Sequence, residues 1–135
     1  MPVQINTLDA GIGIEFISSG VVTGKDIIGA NNLIYTHENL CLLRYKIIDR
    51  TTCTDYNVTP EEIRTIANQD KAAAKINPNI IVALVSTTPY QYGMTRMWGA
   101  YIDGTGLQAG IFNDRKSADT WLKSKMRNST NDINK

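Results

Sequence analysis

Apolar and polar positions change period several times along the chain. Val3, Ile5 and Leu8 mark a short first strand, and Asp9, Ala10 and Gly11 supply a tight turn after it. Ile12, Ile14 and Phe16 alternate with Gly13 and Glu15, a period of two that continues as a strand through Gly20 to Val22. The two segments predict a hairpin. Thr23, with Asp26 three residues on, is a weak capping box, and Ile27, Ala30 and Ile34 share one face of the helix it would start. Leu40 to Ile48 is the next apolar run, short and rich in branched residues, and predicts a strand interrupted by Arg44 and Lys46. The polar stretch from Asp49 to Thr59 then predicts a loop.

Thr59-Pro60-Glu61-Glu62 is the clearest local signal. Thr59 can accept from the N–H of Glu62, Pro60 suits the first helical position, and the two acids favour the positive end of the helix dipole. Ile63, Ile66, Ala67 and Ala74 mark the buried face, and Asn77-Pro78 ends the helix. Ile80 to Val85 has no polar residue, as expected of a strand covered on both faces. Thr88-Pro89 opens a helix to about Tyr101, Gly104 and Gly106 break it, Leu107 to Phe112 is a last strand, and Asn113 caps a final helix with Ala118, Trp121 and Leu122 inward. The order β-β-α-β-α-β-α-β-α predicts an α/β domain with a five-stranded mixed sheet, mainly parallel, and four helices. The first strand, reached by a short turn, should be antiparallel to the second.

At 135 residues, with 42% hydrophobic and 20% charged side chains, the chain suits one domain with a real core over residues 1–126. Residues 127–135 read as a polar flexible tail. The 14 basic and 13 acidic residues leave a formal charge of +1, which gives no field to recruit nucleic acid or an anionic membrane. No apolar run is long enough for a membrane span, and no signal peptide opens the chain, so a cytoplasmic location is expected.

The candidate chemistry is sparse. His37, the sole histidine, lacks a second ligand at a zinc spacing, so no metal is expected, and it reads as a surface loop residue or a helix C-terminal charge. Cys41 reads as core in its strand. Cys53, in a polar loop near Arg50, reads as a modestly activated thiol without a base. Gly11-x-Gly13 and Gly104-x-Gly106 are turn glycines, not phosphate loops. Asp49, Arg50 and Asp55 after the third strand, Ser86, Thr87 and Thr88 after the fourth, and Asn113, Asp114 and Arg115 after the last fall at the carboxyl edge where open α/β sheets bind ligands. The helix from Pro89 to Tyr101 carries Tyr90, Tyr92, Met94, Arg96, Met97 and Trp98. Tyr90, Met94, Trp98 and Tyr101 fall on one face, which predicts core, and leave Tyr92, Arg96 and Met97 more exposed. Aromatic, Met and Arg residues favour a partner surface or an adaptable apolar ligand. Gly93 and Gly99 in the same helix suggest close backbone approach or movement.

Three segments together resemble stand-alone members of the STAS superfamily, the SpoIIAA-like fold of anti-sigma-factor antagonists: SSGVVTGKDI, IIVALVSTTPYQYGMTRMWGAYI and LQAGIFNDRKSADTWL. The order of elements fits over residues 2–126. The resemblance implies a small bacterial regulatory or interaction domain, and related folds carry apolar ligands. Phosphoswitch antagonists hold a serine at the start of the helix after the central strand. Here DRTTCTDYNVT offers only threonines, so no such switch is carried over. The expectation is a non-enzymatic regulatory or protein-interaction domain without a cofactor. The alternative is a carrier or sensor of a small apolar, lipid-like molecule beneath the helix 89–101. The partner is an unknown protein or such a ligand, and a homodimer stays open.

Overall fold

The computed structural model describes residues 2–133, with side chains to residue 127. β1 (Val3–Leu8) runs antiparallel to β2 (Gly13–Thr23), with Val3 opposite Ser18 and Leu8 opposite Gly13. The turn between them is a short 3-10 segment in which Asp9 and Ala10 take positive φ, 51° and 57°. β3 (Tyr45–Asn57), β4 (Ile81–Val85) and β5 (Gln108–Phe112) then add in parallel, so the sheet order follows the chain order. The helices are α1 (Gly24–Ile34), a short α2 (His37–Leu42), α3 (Pro60–Ile76), α4 (Pro89–Ile102) and α5 (Arg115–Ile133). The fold is therefore α/β with a five-stranded mixed sheet, as the pattern predicts.

The caps work as the sequence implies. Thr23 accepts from Asp26 N and Asp26 accepts from Thr23 N, a complete capping box despite the aspartate. Thr59 and Glu62 form the same reciprocal pair, and Thr88 caps α4. α5 is capped by Asp114, whose carboxylate accepts from Ser117 N at 2.7 Å, rather than by Asn113. The polar segment from Arg127 continues the α5 backbone to Ile133. Its side chains from 128 on, and residues 134–135 altogether, lie outside the described residues.

Successive parallel strands with crossovers of one hand carry their helices to one face. Helices α1 to α4 accordingly bury Ala30, Ile34, Leu40, Ile63, Ile66, Trp98 and Ile102 against Ile14, Phe16, Ile48, Val82 and Leu84. Only α5 covers the other face, where Ala118 and Leu122 meet Tyr45, Ile47, Ile81, Ala83 and Val85. β4 sits between β3 and β5, with all five residues buried, as its unbroken apolar run requires.

The third strand departs from expectation at both ends. Leu40 to Leu42 belong to α2, and the strand starts only at Tyr45, so Cys41 is exposed on a helix and not in the core. At the far end the polar stretch is strand, not loop, through Asn57. Thr51, Thr52 and Thr54 are β-branched and suit a strand with one exposed face. β3 carries two extra residues relative to β2. Ile17 pairs Asp49 while Ser19 pairs Thr52, and Gly20 pairs Cys53 while Val21 pairs Asp55. Each bulge shifts the alternation by one. The covered face therefore reads Lys46, Ile48, Arg50, then Cys53, then Tyr56, all buried. A strict period of two would have sent Cys53 to the opposite face.

Candidate functional site

β3 brings ionisable side chains beneath the helices. Lys46 and Arg50 flank Ile48 on the covered face and are only 3% and 6% exposed. Lys46 Nζ donates to Asn31 Oδ1 of α1 at 2.8 Å and to Tyr35 Oη at 3.0 Å, and lies 3.6 Å from Asp70 Oδ1 of α3. Asp70, 4% exposed, also accepts from Tyr35 Oη at 2.5 Å and from Trp98 Nε1 of α4 at 2.7 Å. Burial pushes the Lys46 ammonium below its ordinary range, Asp70 works against that, and Arg50 adds to it. Burial, reinforced by Asp70, pushes the Tyr35 phenol well up. Arg50 Nη1 donates to Ser86 Oγ at 3.1 Å and to Thr95 Oγ1 at 2.8 Å, and its guanidinium lies 4.9 Å from the centre of the Tyr56 ring.

Of these residues, Asn31, Lys46, Arg50, Asp70, Thr95 and Trp98 wall a cavity of about 30 Å³ between the sheet and α1, α3 and α4. Ile27, Ile63, Ile66, Val82 and Leu84 supply its apolar wall. A water occupies roughly 30 Å³ in the liquid, so the space suits one small group. Tyr56 lines this cavity and also an outer cleft of about 480 Å³ at the carboxyl end of β3. Tyr90 lines the cleft as well. Its hydroxyl donates to Val58 O at 2.6 Å, and its ring meets Tyr56 edge-on at 6.3 Å.

The expected site residues divide. Arg50 and Trp98 line the cavity. Met94 and Met97 are partly buried against the first core. Tyr90, expected inward, is 49% exposed, because the buried face of α4 is Gln91, Thr95, Trp98 and Ile102. Tyr92, 45% exposed, stacks on the Arg96 guanidinium at 5.9 Å on the outer face. Thr87 is exposed, and its N–H donates to Gln91 Oε1 at 2.8 Å. Gly93 and Gly99 make no close approach: a Cβ at either would meet nothing within 4 Å.

Asp49 lies inside β3 and points away from Arg50, to the other face. There Arg115 binds Glu15 at 2.5 Å, Asp119 at 2.9 Å and Asp49 at 3.0 Å. Burial alone would raise the Asp49 carboxyl, but hydrogen bonds from Thr51 and Arg115 hold it below its ordinary value. Burial would lower Arg115, yet its three carboxylates raise it. Nearby, the Tyr45 hydroxyl donates to Asp9, and burial with that bond pushes the phenol up. Gly13 lets the Tyr45 ring lie across β2, where any Cβ would collide with it. The cluster borders a groove of about 450 Å³ beside α5.

The thiols correct the sequence reading. Cys53 is buried, and burial raises its pKa, so it is not activated. His37 is exposed in the first turn of α2, not at a helix C-terminus, with Nε2 3.8 Å from Cys41 Sγ. Among the described residues no group of three His, Cys, Asp or Glu side chains could hold a metal ion, and no helix is long and apolar enough to cross a membrane. Sequence reasoning missed Asn31, Lys46, Asp70 and Thr95. Two signals were present: Lys46 and Arg50 share a parity with Ile48, and Asp70 falls on the apolar stripe of α3.

Comparison with family models, with curated proteins and with solved structures finds no match for the chain.

Proposed function

We propose that the chain is a non-enzymatic, STAS-like regulatory domain that binds a small molecule beneath α4. The observation that carries this is the cavity between sheet and helices, walled by three buried ionisable side chains, Lys46, Arg50 and Asp70. Well-packed cores are apolar, and buried charge without a task is unfavourable. Ligand sites are mostly apolar enclosures with a few placed polar groups, and this lining has that character on the scale of one small group. The order of elements over residues 2–126 supports the STAS-like placement.

Native mass spectrometry of protein purified from its own host tests the reading. A small adduct is expected, absent when Leu84→Phe fills the cavity in a still-folded chain. A native spectrum with no adduct overturns it.

A second reading follows from the outer face of α4, where Tyr92 and Arg96 stack in solvent beside half-exposed Tyr90. Aromatic and arginine side chains anchor protein interfaces. On this reading Tyr92→Ala and Arg96→Ala leave the melting temperature nearly unchanged and weaken binding of the cognate protein. A large loss of stability from both, with binding intact, would assign this face to the core.

A further inference from the structure

Arg50 is the group the fold leaves least satisfied. Its hydrogen-bond partners among the described residues are two hydroxyls, Ser86 and Thr95, which also contact one another at 3.3 Å, and its guanidinium lies against the Tyr56 ring. Among the described residues no carboxylate lies within ion-pair distance of it. Its Nε is buried and has no hydrogen-bond partner among the described residues. The cavity lining holds two basic groups, Lys46 and Arg50, against one carboxylate, Asp70, a formal excess of one positive charge. Asp70 is already bonded to Tyr35 and Trp98 and faces Lys46. A buried guanidinium without a counter-charge is strongly unfavourable, and a bound anion removes that cost.

The surroundings narrow the anion. A carboxylate meets a guanidinium through two parallel N–H groups, and the bare Nε–H is one that can serve. The walls beside Arg50 include Ile48, Leu84 and the Tyr56 ring, which suit carbon, and the other donors of the lining are already engaged, Lys46 with Asn31 and Asp70, Trp98 with Asp70 and Thr95 with Gln91 O. Tyr56 alone among the cavity residues also lines the outer cleft next to Tyr90. Tyr56 is thus the wall shared by the small cavity, of a size for a head group, and the roomier cleft, of a size for a longer body.

We propose that Arg50 binds the carboxylate of a small organic monocarboxylate whose apolar body passes Tyr56 towards Tyr90. This rests on the reading of the cavity beneath α4 as a ligand site.

Trp98 lines the cavity, and Trp121 is the other tryptophan of the chain, so Trp121→Phe leaves a single reporter at the site. That protein is titrated with acetate, butyrate and hexanoate, with neutral butyramide, and with chloride and phosphate. The expected result is a saturable change in Trp98 emission with the carboxylates, tightening from acetate to hexanoate. Butyrate at tenfold over its Kd raises the melting temperature by about 5 °C. Arg50→Gln weakens butyrate at least tenfold, and Arg64→Gln, at an exposed arginine of α3, leaves it unchanged. Should Arg50→Gln not fold, the butyrate and butyramide comparison in the parent protein decides alone. An equal response to butyramide overturns the anion but keeps a cavity ligand. An equal response to chloride or phosphate overturns the carboxylate. Silence from every carboxylate overturns the proposal, and the native mass adduct then decides separately whether the cavity binds anything else.

Discussion

Asp49 and Arg50 are neighbours in one strand, yet they belong to opposite electrostatic regimes. Arg50 turns beneath α1, α3 and α4 into a cavity with two basic groups and one carboxylate. Asp49 turns to the thinly covered face, where one arginine serves three carboxylates. The second arrangement tolerates its imbalance because water reaches it: the Arg115 side chain is 32% exposed and Asp119 42%. The first has no such relief, with Lys46 and Asp70 side chains 4% and 5% exposed. Three charges are therefore a stability question on one face, and four are a solvation detail on the other.

The sharpest break of this contrast is Asp70→Ala. It strips Lys46 of its carboxylate and leaves Tyr35 and Trp98 donors unpaired, so a loss of about 3–5 kcal/mol is expected in chemical denaturation. A loss under about 1 kcal/mol would mean that water already reaches the buried cluster. On the open face, Arg115→Ala should cost about 1 kcal/mol. That loss should shrink in high salt and as pH falls through the Asp49 titration, because protonated carboxyls no longer need the arginine. The sign follows from the depressed Asp49 carboxyl: its stabilisation is present above its ordinary value of 3.8 and is lost as pH falls below that.

Raising the pH weakens both faces. Tyr35 on one side and Tyr45 on the other have phenols raised above 10.0. The unfolded chain ionises them first, so folding stability is full below pH 10 and falls as pH rises beyond it. Tyr35→Phe and Tyr45→Phe should each flatten the alkaline limb of a melting-temperature profile. A control lies outside both clusters. Gly93→Ala and Gly99→Ala should each stabilise by up to about 1 kcal/mol, since the helix gains propensity and the new methyl meets nothing. The smallest change is expected from Arg50→Met. Losing an uncompensated buried charge offsets the two lost hydrogen bonds, and Ser86 and Thr95 still have each other, so denaturation should move by less than about 1 kcal/mol. A loss as large as that of Asp70→Ala would show that Arg50 is a structural pin.

Much of the frame was legible because local chemistry decides it. Thr23, Thr59 and Thr88 announce their helices, and the run from Ile80 to Val85 announces a central strand. The site was less legible, for two physical reasons. Bulges are set by pairing with β2, so the phase change at Cys53 and Tyr56 leaves no mark in β3 alone, and its threonines read as loop. Polar residues such as Asn31, Gln91 and Thr95 read as solvent-facing until tertiary partners are known. Arg50 was picked out by its position near a sheet edge. That it lines a cavity, while Asp49 does not, follows from strand parity once the strand is known to contain both.

A sheet ordered as the chain is ordered has a consequence for synthesis. Each new strand meets its neighbour as soon as one connection has emerged, so pairing can keep pace with the ribosome and needs no late threading. The two faces do not mature together. The helix-covered side is complete but for Leu107 once residue 102 is available, whereas Tyr45, Ile47, Ile81, Ala83 and Val85 stay bare until α5 follows β5. A nascent chain halted before Arg115 thus carries a covered face on one side and a bare apolar face on the other. The last helix acts as the chain's own chaperone, and its loss would be felt first as aggregation.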